Sequence, residues 1–135
     1  MTPLVDTIPS SRCATFSLIE KGILRIELLK DSEIDLAESK AMQKISKQIT
    51  EKKEFVALID ARNNVTVSKE SREWGSTAEA QENMLAQAII VDSLASRLIG
   101  NFIIQFHKPI AKTRLFSDEA DALDWLREQK RIFGI

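Results

Sequence analysis

Phe55-Val56-Ala57-Leu58-Ile59-Asp60 is an unbroken apolar run closed by an acid, and Ala88-Ile89-Ile90-Val91-Asp92 repeats the pattern further along. A strand with one wet face alternates; short continuous runs are strands covered on both faces or central in a sheet. Each run leads into a segment of helical character, polar from Ser68 to Leu85 and apolar from Ser93 to Phe106. Strands alternating with helices predict a mostly parallel sheet.

Working outward, Arg12 to Lys30 reads as two strands around Lys21-Gly22, a hairpin connection. Leu24, Ile26 and Leu28 alternate with Arg25 and Glu27, so that strand has one buried and one wet face. Asp35 reads as a helix N-cap with Glu38 as its capping-box partner. The helix runs to about Lys52 on an apolar stripe of Leu36, Ala41, Ile45 and Ile49. Thr113 to Phe116 is a short closing strand. Ser117 caps a last helix whose first turn holds Asp118 and Glu119, where the helix dipole favours anions. Residues 1–11, with two prolines and small polar residues, read as a flexible tail. Residues 12–135 form one domain of order β-β-α-β-α-β-α-β-α.

The 135 residues, 44% hydrophobic and 29% charged, suit a single self-sufficient core. A net charge of −1 leaves no basic excess for nucleic acid. One cysteine, Cys13, rules out an internal disulfide, and neither a signal peptide nor a membrane span is legible, so the expected location is the cytoplasm.

Asp60 and Asp92 close their strands where open α/β sheets place ligands. They either form a site or cap the turns that follow. No third ligand at useful spacing accompanies them, so no metal is expected. Ser93, Arg97, Asn101 and Gln105 recur every four residues as one polar stripe on an otherwise apolar helix. The stripe is either a solvent edge or a ligand- or partner-facing line. Arg62, Arg72, Arg97 and Lys108 could converge on an anion, although Glu70, Glu73, Glu79 and Glu82 favour a solvated face around Arg72. His107 is the only histidine and has no serine elbow to serve, and four scattered glycines exclude a phosphate loop.

The C-terminal half carries a resemblance. Ala88 to Asp92, Arg97 with Leu98-Ile99-Gly100-Asn101-Phe102, Lys108-Pro109, Arg114 to Glu119 and Ala122-Leu123-Asp124-Trp125-Leu126 together resemble the STAS/SpoIIAA-like uncharacterised bacterial proteins. The resemblance implies an α/β fold: a β-α superhelix over a mostly parallel mixed sheet of about five strands, with an N-terminal hairpin and about four helices. It also implies helices largely on one side of that sheet. Classical members are anti-sigma-factor antagonists phosphorylated on a serine after a central strand. The matching stretch here, Ile59-Asp60-Ala61-Arg62-Asn63-Asn64, has no hydroxyl, so the switch does not carry over.

The expected function is therefore a non-enzymatic regulatory or protein-interaction domain without cofactors, forming a homodimer to cover its apolar strand faces. The alternative is a carrier or sensor of a small amphipathic anion. The expected ligand or partner surface is Asp60, Arg62, Arg72, Ser93, Arg97, Asn101 and Lys108.

Overall fold

The computed structural model describes residues 9–93 and 110–135. Strands β1 (Ala14–Glu20) and β2 (Ile23–Leu28) form the expected hairpin, followed by the two-residue β3 (Glu33–Ile34) and α1 (Leu36–Ile49). Strand β4 (Phe55–Asp60), the two-residue β5 (Thr66–Val67) and α2 (Lys69–Gly75) come next, then β6 (Met84–Ile90), β7 (Lys112–Phe116) and α3 (Glu119–Phe133). Five strands make one sheet in the order β1-β2-β4-β6-β7. The β1–β2 pair is antiparallel and the rest are parallel. β3 and β5 pair separately, in parallel.

The hairpin turns on Gly22 at φ 80°, a left-handed conformation that any side chain resists. A Cβ there would also stand 3.3 Å from Lys130 Cε, so α3 closes over the turn.

Alternation along the strands sends side chains to two separate cores. On one face Phe16, Leu24, Ile26, Leu28, Phe55 and Ala57 pack with Met42, Ile45 and Ile49 of α1. On the other, Ile23, Val56, Leu58, Ala86, Ala88 and Ile90 pack with Phe116 and with Ala122 and Leu126 of α3. Trp125 sits beside Phe116, ring centroids 5.6 Å apart. The sheet is thus covered on both faces. The expectation of helices largely on one side is corrected: α3 lies opposite α1, and the continuous apolar run of β4 is covered on both faces within one chain.

Four local expectations also change. The polar helix ends at Gly75 rather than Leu85, and its expected second half is turns leading into β6, which starts at Met84. Asn83 stands at φ 69°, a left-handed step just before that strand. Asp35 does cap α1, accepting from Glu38 N at 2.8 Å. Glu38, however, does not return the bond; its buried carboxylate takes Cys13 N at 2.7 Å and Ser11 Oγ at 2.6 Å. Asp118, not Ser117, caps α3, accepting from Ala120 N. Ala41 is exposed, and Met42 takes its place in the stripe.

Among the described residues there are three helices. The expected helix Ser93 to Phe106 lies outside them from residue 94 on. Residues 9–11, expected in the tail, are held: Pro9 O accepts from Phe16 N, and Ser10 bridges Thr15.

Candidate functional site

At the carboxyl ends of β2 and β4, on the face covered by α3, five charged side chains from four segments meet. Arg25 points from β2 and Asp60 ends β4; Arg62 follows two residues later, and Glu119 opens α3. Glu27, two along from Arg25 on the same face, completes the group.

Asp60 is the base of the arrangement, its side chain only 7% exposed. Its Oδ1 accepts Arg62 Nε at 2.9 Å and Arg62 N at 3.2 Å. Its Oδ2 accepts Arg62 Nη2 at 2.8 Å and Arg25 Nη2 at 3.0 Å. Asp60 therefore caps its turn, as one of the two sequence alternatives held, and also anchors two guanidiniums. Five donors in a rigid fork make arginine suited to such shared pairing.

Glu119 faces Asp60 across the guanidiniums. It takes Arg25 Nε at 3.1 Å and Arg25 Nη2 at 3.0 Å, and Arg62 Nη2 reaches the same Oε1 at 3.3 Å. Arg25 Nη1 meets Glu27 Oε1 at 3.2 Å. Two cations face three carboxylates, so the group carries one net negative charge as a unit.

The electrostatics follow. The bidentate Arg62 bond holds the Asp60 carboxyl below its usual range, against the opposing effect of burial. The Arg25 bond does the same for Glu119. Arg25 is raised, first by its bond to Glu119, and Arg62 is raised by its bond to Asp60. All four groups stay charged at neutral pH.

Of the residues singled out from sequence, Asp60 and Arg62 come together here. Arg72 does not join them; its Nη1 donates to Val67 O, so the structure does not bring Arg62 and Arg72 together. Ser93 lies exposed just past β6. Asp92, the twin of Asp60 by pattern, is also exposed. Arg97, Asn101, His107 and Lys108 lie outside the described residues. Cys13 is buried and free, its Sγ 3.8 Å from Glu33 O. Among the described residues no group of His, Cys, Asp and Glu is arranged to hold a metal.

Arg25 and Glu119 were missed as site residues. One signal was present: an arginine in the middle of a strand next to a fully apolar run. In a sheet with two covered faces, such a residue needs a buried partner.

A mixed five-stranded sheet with an N-terminal hairpin and a closing helix on its far face defines the class, a SpoIIAA-like α/β domain. The fold matches an uncharacterised DUF3478-family protein with a SpoIIAA-like fold from Shewanella loihica PV-4, at a TM-score of 0.61 and 17% identity over 89% of this chain and 99% of that one. Within that class the chain belongs to the family described as a domain of unknown function, DUF7793, whose profile matches residues 17–130. No curated protein matches the sequence.

Proposed function

We propose that the chain is a non-enzymatic regulatory or interaction domain of the cytoplasm that works as a homodimer. The observation that carries the reading is that large apolar side chains are left exposed on β1 and at the end of α3, two elements that meet at the hairpin turn. Leu18 is 50% exposed and Ile132 56%, with Ile19 and Phe133 also exposed. Leu18 lines one open cleft of about 540 Å³ with Phe55, Gly134 and Ile135, so β1 and the end of α3 share this surface. Large apolar side chains grouped on a surface favour a partner.

An exposed patch over packed cores supports an interaction module more than a carrier, which needs an enclosed apolar chamber. The mutual neutralisation of Arg25, Asp60, Arg62 and Glu119 supports a role without catalysis, since none of these groups stands ready as base or nucleophile. The free buried Cys13 is in keeping with a reducing compartment.

Sedimentation equilibrium at micromolar concentration is the test. The expected mass is twice 15.2 kDa, returning to one chain in Phe133→Glu. An interface of ordinary size buries on the order of 1,200–2,000 Å². A wild-type protein that stays monomeric at tens of micromolar overturns the reading.

A further inference from the structure

We propose that Arg25 and Arg62 form a clamp for a phosphate group, and that Glu119 is a built-in carboxylate occupying the clamp until an external anion displaces it.

The group has a fixed side and a movable side. Asp60 is buried and holds both guanidiniums from behind, with 2.8 and 2.9 Å bonds to Arg62 and one of 3.0 Å to Arg25. Glu119 stands in front with its side chain 37% exposed, and Arg62 is 36% exposed. Glu119 leaves by rotating its own side chain, with no backbone change. Asp60 then still orients both arginines.

The donor geometry suits phosphate. Arg25 offers Nε and Nη2 as a fork, and Arg62 Nη2 converges on the same acceptor oxygen, at 3.0 and 3.3 Å. One oxygen shared by two guanidiniums, with a second oxygen on the fork, is the pattern phosphate accepts. Its third oxygen would face solvent. The place fits as well: it is the carboxyl end of parallel strands and the start of the 15-residue α3, where the helix dipole favours an anion.

The donors explain why the clamp is guarded. With Glu119 withdrawn, Asp60 and the more distant Glu27 still balance the two cations, but Arg25 Nε loses the acceptor that Glu119 supplied. With Glu119 in place, the apparent affinity for an external anion falls in proportion to the fraction of molecules left open. The clamp lies at the opposite end of the strands from the apolar patch, so it stands or falls independently of self-association.

The experiment is a titration of the full chain with inorganic phosphate at constant ionic strength, followed by amide and arginine Nε–H NMR signals. Wild type is expected to respond at Arg25 and Arg62 with weak affinity. Glu119→Gln, which removes the competing charge, is expected to bind at least about tenfold more tightly. Adding Arg62→Gln to that variant is expected to abolish the response. Glu119→Asp, too short to span both guanidiniums, guards against loss of fold and is expected to tighten binding as well. Folded Glu119 variants that bind no more tightly than wild type overturn the proposal. So do shifts that survive Arg62→Gln.

Discussion

Asp60 and Asp92 follow the same kind of apolar run and end neighbouring strands of one sheet, yet one is buried between two arginines and the other lies in solvent. The difference comes from what stands beside each strand end. The Asp60 end has Arg25 on the adjoining β2, Arg62 in its own turn and Glu119 delivered by α3. A local pattern places an acid at a strand end; only the neighbours make it a site.

The largest effect that could break this comparison is truncation. Asp60→Ala leaves Arg25 and Arg62 short of their buried partner and is expected to cost roughly 3 kcal/mol, since removing one member of a buried pair strands the other. Asp92→Ala, at an exposed position, is expected to stay within about 0.5 kcal/mol. Urea denaturation of both variants measures the contrast. Equal losses would mean that the ion cluster does not set the stability of its strand end.

A smaller effect concerns pH. Asp60 and Glu119 have folded pKa values below their unfolded ones, so the unfolded chain binds more protons in the acid range. Their contribution is present above the unfolded carboxylate pKa of about 4. It is lost as pH falls through the lower folded values. Denaturation midpoints from pH 7 to pH 3 should fall on the acid side, with a shallower slope in Asp60→Asn. A slope unaltered by Asp60→Asn would assign acid sensitivity to other carboxylates.

Much of this fold is legible in the residues. Leu24, Ile26 and Leu28 betray β2, and the unbroken Phe55 to Ile59 run betrays a strand covered on both faces. The stretch after Gly75 was misleading because Ala78, Glu79, Ala80, Gln81 and Glu82 are good helix formers. Tertiary bonds override them there: Gln81 donates to Gly75 O and accepts from Ala111 N. β3 and β5 have two residues each and give no periodic signal at all.

The candidate site was half legible. Asp60 and Arg62 lie two apart in one turn, within reach of local reading. Arg25 and Glu119 are 94 positions apart, and alternation marks Arg25 only as polar. Its face reads as wet because periodicity says which residues share a face, not what covers that face. A helix that follows all the strands supplied the cover.

The smallest expected effect tests that cover directly. Gln129 of α3 is buried, and its Oε1 has no hydrogen-bond partner among the described residues. Gln129→Met keeps the volume and removes an orphaned polar atom, so it is expected to be neutral or to stabilise by up to about 1 kcal/mol. Thermal unfolding reads the sign. A clear loss would show that the amide makes a bond that the α3 face depends on.

The position of α3 in the chain also bears on how the protein is made. Translation proceeds from the N-terminus, so β2, β4 and β6 leave the ribosome before the helix that shields Val56, Leu58, Ala86, Ala88 and Ile90. At about 5–20 residues per second that side of the sheet stays bare for some seconds, long enough for a chaperone or another nascent chain to reach it. α1, synthesised between β2 and β4, is available to its own side from the outset. The nascent chain thus has one early-protected side and one late-protected side, and holdase capture should concentrate on the second.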